Sequence, residues 1–290
     1  ANNTNYETYL FWWKLGAKRV VSARELSLVE IKGIREKIPA EMEIESFVHG
    51  AMCISYSGRC LLSNFFTGRD PNRGPWPHPC RWKYAVVEET RPGEYLPVYE
   101  NERGTYIFNS KDLCMIEHIP ELIDAGIDSF KIEGRMKSPY YVATVVNAYR
   151  RALDELELSR KQGREYRISD ELLGELKKAS HRKYTTGFMF NDGEVRQNYL
   201  SSSQTQESMF RAIVLKADGN RVLVEQRNKF KVGDSLEILS PNSDFNKKVK
   251  VIKIEDEKGQ CLDEAKLVQQ SIWLTLDGVY ELTQGDILRS

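Results

Sequence analysis

Glu43-Ile44-Glu45-Ser46-Phe47-Val48-His49-Gly50-Ala51-Met52-Cys53 reads as a strand that runs into a cysteine. Alternate side chains of a strand point to opposite faces, so Glu45, Phe47 and His49 share one face. The Gly-, Cys- and Pro-rich stretch 50–81 that follows is too long for an ordinary connection, which marks it as functional. Upstream, 6–15 reads as a helix ended by Gly16 and 19–23 as a short buried strand. Ser27 caps a helix from Leu28 to Lys37, with Leu28, Ile31, Ile34 and Ile38 on one face, and Pro39 stops it. Downstream come strand-like pieces at 84–88, 95–99 and 105–108. A helix over 111–125 ended by Gly126, a strand at Ile127–Ile132 and a long helix from Tyr140 to Leu158 complete the pattern.

Repeated β-then-α alternation predicts parallel strands joined by helical crossovers, a fold class whose chemistry sits beyond the carboxyl ends of the strands. Those ends are polar here. Strand 19–23 runs into Arg24-Glu25, strand 43–49 ends on His49, and strand 127–132 leads into Glu133-Gly134-Arg135. Lys131 and Glu133 share a face, and charges inside a covered sheet need a partner or a ligand.

From about residue 205 the pattern changes to short alternating strands, Phe210–Lys216, Arg221–Glu225, Asp234–Leu239, Lys248–Ile254 and Ile272–Leu276, followed by a terminal turn. Three parts are expected: an α/β barrel region over 1–160, a charged and then Ser/Gln-rich connecting arm over 161–204, and a small all-β barrel over 205–290.

Lys plus Arg and Asp plus Glu both total 42, so net charge attracts no polyanion, and RNA would have to meet a local patch. No apolar run approaches the length of a membrane span and no signal peptide is seen, which predicts a cytoplasmic protein with no membrane partner. Five cysteines are too few for a disulfide scaffold, and their clustering suits a metal or redox role. Cys53, Cys60, Cys80 and Cys114 are separated by 6, 19 and 33 intervening residues, unlike the Cys-x-x-Cys knuckles of most structural zinc sites. A thiolate-only set suits zinc or an iron–sulfur cluster. Cys261 stands apart in the β module.

The run from Glu45 to Ser63 resembles the signature of the U32 peptidase family. Arg24-Glu25-Leu26-Ser27, Gly74 to Trp82, Asn109 to Leu113, Lys131 to Arg135 and His181 to Phe188 extend the likeness, and the β module resembles the family's carboxyl-terminal domain. Through Phe230 to Asp234 and Gly285 to Arg289 it also resembles, more loosely, the second domain of translation factors. The resemblance implies a TIM-like (β/α) barrel whose four matching cysteines hold a [4Fe–4S] cluster. It implies either collagenase-like proteolysis or hydroxylation of tRNA uridine, ribosomal RNA cytidine or a quinone precursor. The chain begins Ala1-Asn2-Asn3 with about half the expected strands, so a partial barrel is expected, covered by a missing amino-terminal segment or a partner chain.

No His-Glu-x-x-His helix and no Gly-x-Ser-x-Gly elbow is found, and a cluster-bound cysteine is not a free nucleophile. A triad of Ser63 or Ser57 with His49 remains the peptidase alternative. Hydroxylation of an inert base carbon needs redox chemistry from a cofactor, with the protein supplying position and charge. On that reading His49, Glu133 and Lys131 are the candidate catalytic residues, and Arg24, Glu25, Arg59 and Arg135 the candidate substrate-binding residues. Internal ion pairs, Lys131 with Glu133 and Arg24 with Glu25, are the structural alternative. The expected substrate is RNA, and among RNAs tRNA. Arg227, Lys229, Lys231, Lys247, Lys248, Lys250 and Lys253 form either a basic strip for phosphate or a solvated rim. A non-catalytic RNA-binding subunit with structural zinc is the alternative from another class.

Overall fold

The computed structural model describes residues 2–52, 86–87, 95–96, 111–190 and 205–290. The chain divides into two units. The first comprises Ala1–Ser138, Arg151–Asp170 and His181–Thr205, and the second Pro139–Arg150, Glu171–Ser180 and Gln206–Ser290.

In the first unit, α1 (Tyr6–Lys14) starts where Asn5 accepts a hydrogen bond from the Thr8 N–H. α2 (Leu28–Arg35) starts on a full capping box, in which Ser27 and Glu30 satisfy each other's backbone N–H groups. Its Ile31 and Ile34 are buried, as are Val20, Ile44 and Val48. Each such burial stabilises by about 1.5–3 kcal/mol relative to exposure. The strands β1 (Arg19–Val21), β2 (Glu43–Ala51) and β6 (Ser129–Ile132) are mutually parallel through β2, as the alternation predicted.

The next element overturns an expectation. Residues 111–125 are not one helix: β5 (Asp112–Cys114) is a strand antiparallel to β2 and parallel to β7 (Tyr184–Thr185). A 3-10 turn at Ile116–His118 then leads into α3 (Ile119–Asp124), which opens on Pro120. Tertiary pairing accounts for the difference, because the Asp112 N–H donates to the Lys183 carbonyl and Leu113 pairs with both Gly50 and Thr185. The described sheet is therefore mixed rather than all-parallel, with five strands. Two further strands, β3 (Val86–Val87) and β4 (Tyr95–Leu96), pair antiparallel. The piece expected at 105–108 lies outside the described residues. α4 (Pro139–Gln162) runs through both units, and α5 (Asp170–Lys178) and β7 are regular elements within the segment read as an arm.

The second unit contains a closed antiparallel barrel. Its strands are β8 (Phe210–Asp218), β9 (Arg221–Gln226), β11 (Ser235–Leu239), β12 (Lys248–Glu255), β15 (Ser271–Leu276) and β16 (Ile287–Arg289). They run in the order β11-β16-β8-β9-β15-β12, and pairing of β11 with β12 closes the ring. The terminal turn read from the sequence is in fact β16, the strand between β11 and β8. The ribbon β10 (Phe230–Lys231) and β14 (Glu264–Ala265) lies off this ring, and β13 (Cys261–Leu262) extends it beside β12. Strict alternation fills the interior with Val222, Val224, Ile272, Leu274 and Leu276. β8 and β9 are joined at Gly219, whose positive φ of 61° a tight hairpin needs.

Among the described residues no helix is long and apolar enough to cross a membrane.

Candidate functional site

The parallel strands β1, β2 and β6 deliver charged residues near their carboxyl ends. The Arg24 guanidinium lies 3.8 Å from the centre of the Phe47 ring, and the Lys131 ammonium 5.7 Å from the same ring. Lys131 also donates to Glu45 at 2.6 Å, and Arg19 approaches Glu45 at 3.5 Å. Burial would raise the Glu45 carboxyl, but the hydrogen bond and charge of Lys131 outweigh it and hold the group below its ordinary pKa. Lys131 is thus paired with Glu45, not with Glu133 as the sequence alternative had it. Glu133 turns instead to its own loop and accepts the Arg135 N–H at 2.9 Å. Arg135 is exposed, whereas Arg24, Glu25, Lys131 and Glu133 are partly buried.

Beyond Phe47 the register of β2 against β6 shifts, with Phe47 opposite Lys131 but His49 opposite Ile132. This bulge breaks the alternation that placed Glu45, Phe47 and His49 on one face. His49 is 1% exposed and contacts Tyr184 of β7, the ring centres 5.4 Å apart. Tyr184 in turn stacks on His181 at 4.8 Å. Burial, with smaller contributions from the positive potentials of His181 and Lys137, pushes the His49 imidazole down to about 3, so the ring is neutral at physiological pH.

His49 and Cys114 are directly opposite across β2 and β5. Two places along, Ala51 is opposite Asp112, whose buried carboxylate accepts the Arg182 N–H at 3.0 Å. Asp112 and Arg182 lie in segments that carry the family likeness, but their pairing was not read from the sequence, because a pair separated by 70 residues leaves no local signal. Cys114, the one metal-ligand candidate among the described residues, is partly buried. Its sulfur is of the donor type that an iron–sulfur cluster or zinc takes. Cys53, Cys60, Cys80 and Arg59 lie outside the described residues, as do Ser57 and Ser63. Among the described residues no group of three or more His, Cys, Asp or Glu could hold a metal ion. Cys261 is exposed and belongs to the second unit.

Residues 1–199 match the model of peptidase family U32, and residues 206–289 that of the peptidase family U32 C-terminal domain. The chain belongs to the U32 family. Along its whole length it is 36% identical to the tRNA hydroxylation protein P of Escherichia coli K12, of which the match covers 71%. It is 40% identical to tRNA hydroxylation protein P1 of Bacillus subtilis 168 over 94% of this chain and 64% of that protein. Over 49% of this chain and 20% of the relative it is 39% identical to the 23S rRNA 5-hydroxycytidine C2501 synthase of E. coli K12. The chain therefore spans roughly two thirds of the length of the tRNA hydroxylation proteins it resembles. In this U32 member Arg24 and Lys131 lie against Phe47, the Glu133 N–H donates to the His49 carbonyl, and the segment His181 to Phe188 supplies the strand beside Cys114's own.

Proposed function

We propose that this U32 protein takes part in hydroxylating a nucleobase of RNA, with tRNA uridine as the substrate. The observation that carries the reading is the match, along the entire chain, to a protein named for tRNA hydroxylation. The site chemistry agrees with it. Arg24 and Lys131 both lie against the Phe47 ring, which gathers positive charge able to hold an anionic group of the substrate. Arg135, exposed next to Glu133, would meet phosphate, and Glu133 would orient a base edge. Cys53, Cys60, Cys80 and Cys114 would hold a [4Fe–4S] cluster, which when bound supplies the electron transfer that oxidation of an unactivated carbon requires. His49, neutral and packed against Tyr184, supports the strand on which Cys114 faces it. A (β/α) barrel completed by further chain or a partner would enclose the site, in a cytoplasmic enzyme.

The test is mass spectrometry of tRNA nucleosides from cells lacking the protein, with complementation by wild type and variants. Loss of one hydroxylated uridine, restored by wild type and not by Cys53→Ala or Cys80→Ala, is expected. Iron and sulfide analysis of anaerobically purified protein should show both elements lost in the same variants, while zinc alone would favour the structural-metal reading. Unchanged nucleosides, with gelatin cleavage that Ser63→Ala or His49→Ala abolishes, would replace this reading with the peptidase.

A further inference from the structure

The barrel carries an aromatic residue on its outside. β15 buries Ile272, Leu274 and Leu276, and this alternation turns Trp273 outward, opposite Leu223 of β9 and Glu255 of β12. The Arg221 guanidinium lies 4.9 Å from the centre of the Trp273 ring. β12 buries Val249, Val251 and Ile254 and turns Lys248, Lys250 and Lys253 outward on the same side of the sheet. Lys253 is opposite Thr275, the next outward residue of β15 after Trp273.

Of the seven cations in the basic strip read from the sequence, the structure pairs Arg227 with Glu225, Lys229 with Glu264, Lys247 with Asp244 and Lys253 with Glu255. Lys248 and Lys250 have no ion-pair partner among the described residues, and both are exposed. Around Trp273 and along β12, Arg221, Lys248, Lys250 and Lys253 face two carboxylates. Glu255 is shared by Arg221 and Lys253, and Asp277 accepts the Lys250 N–H. Glu225, also outward on β9, is offset by Arg227, and Glu237 of β11, opposite Lys248, is offset by Lys178 and Arg289, so the excess positive charge of the face lies at Lys248 and Lys250. At about 3.3 Å per residue, Lys248 is roughly 17 Å along the strand from Lys253, the reach of a short run of nucleotides.

We propose that this outer face of β9, β15 and β12 is an RNA-docking surface that seats an unpaired base against Trp273, with the neighbouring phosphates on Lys253, Lys250 and Lys248. The inference rests on the RNA reading above and names where the substrate is gripped outside the strand-end site. Aromatic stacking with a track of cations is the general chemistry of single-stranded nucleic acid binding, and it tolerates many sequences because every base offers a π face. Cation release from phosphate makes such binding salt-dependent.

Fluorescence anisotropy of a fluorescein-labelled, unmodified tRNA transcript, titrated with the full protein from 50 to 300 mM salt, tests the proposal. Trp273→Ala should weaken binding about tenfold or more with the salt slope preserved, and Trp273→Phe should retain most of the affinity. Lys248→Gln with Lys250→Gln should lower the slope of log affinity against log salt by about 1.4, since each single-strand phosphate contact contributes about 0.7. Lys229→Gln with Lys266→Gln, which share Glu264, should change neither. Circular dichroism checks that each variant is folded. Wild-type affinity and slope in both surface variants would overturn the proposal, as would an equal loss in the Glu264 control. Wild-type protein that binds no tRNA, from a strain whose tRNA hydroxylation depends on it, would also overturn it and leave the proposed function standing. Nucleosides unchanged by deletion would instead remove the proposed function itself.

Discussion

Gly50 and Glu133 meet at backbone distance: a Cβ on Gly50 would stand 2.9 Å from the Glu133 Cβ and closer still to its carbonyl oxygen. The Glu133 N–H donates to the His49 carbonyl at 2.9 Å, so β2 and the loop after β6 are held together where the candidate site residues emerge. Gly50 also has a φ of 111°, a region side chains avoid. Gly50→Ala should therefore lower stability by about 1–3 kcal/mol and displace Glu133. Urea denaturation measures this, and an unchanged midpoint would mean the close approach relaxes without cost.

The second unit contains a buried ion pair. Arg289 and Glu175 are both fully buried and make two hydrogen bonds, and Arg289 also donates to Glu237 at 2.8 Å. Without Arg289 the buried Glu175 keeps only Lys178, 3.1 Å away. Arg289→Met should cost about 3–5 kcal/mol, and pairing it with Glu175→Leu should recover much of that. Calorimetry of the single and double variants decides the matter. Equal stability of Arg289→Met and wild type would show that Lys178 alone suffices to balance Glu175.

Acid should weaken this unit through Glu237. Burial would raise its carboxyl, but the hydrogen bond from Lys178 at 2.6 Å and the charge of Arg289 outweigh it, so the folded pKa lies below the ordinary value of 4.5. A carboxylate with a depressed folded pKa contributes stability that is complete above its unfolded pKa and is lost as pH falls through the folded one. The denaturation midpoint should be level from pH 8 to 6 and fall below about 4.5. In Glu237→Gln the fall should be shallower. An identical acid profile in that variant would assign the loss to other carboxylates.

Lys131→Met separates function from support in the strand-end site. Its pair with Glu45 is partly exposed on the lysine side, at 41%, and a pair of that kind contributes no more than about 1 kcal/mol. Near-normal thermal stability with a several-fold fall in the hydroxylated nucleoside of complemented cells is expected. Full complementation would make Lys131 a structural partner of Glu45 only.

Where the sequence was legible, the signal was local. Ser27 marked the start of α2 from the chain alone, and short alternating runs revealed the strands at Arg221–Glu225 and Ile272–Leu276. Asp112–Cys114 misled for a complementary reason. Three residues followed by a helix continue a helical pattern on paper, and only hydrogen bonds to β2 and β7 make them a strand. The face shared by Glu45, Phe47 and His49 failed at a bulge, which has no signature in a run of alternating side chains.

The sequence by itself determined the class of element at most positions and the family, because spacing along a chain dictates which side chains share a face and which motif they spell. Only the tertiary structure decided the partners. It paired Lys131 with Glu45, Asp112 with Arg182 and Arg289 with Glu175, contacts across 86, 70 and 114 residues. It also neutralised His49 by burial and left Lys248 and Lys250 facing outward beside Trp273's sheet. Charge and burial depend on distance in space, and that distance is set when strands choose neighbours and register.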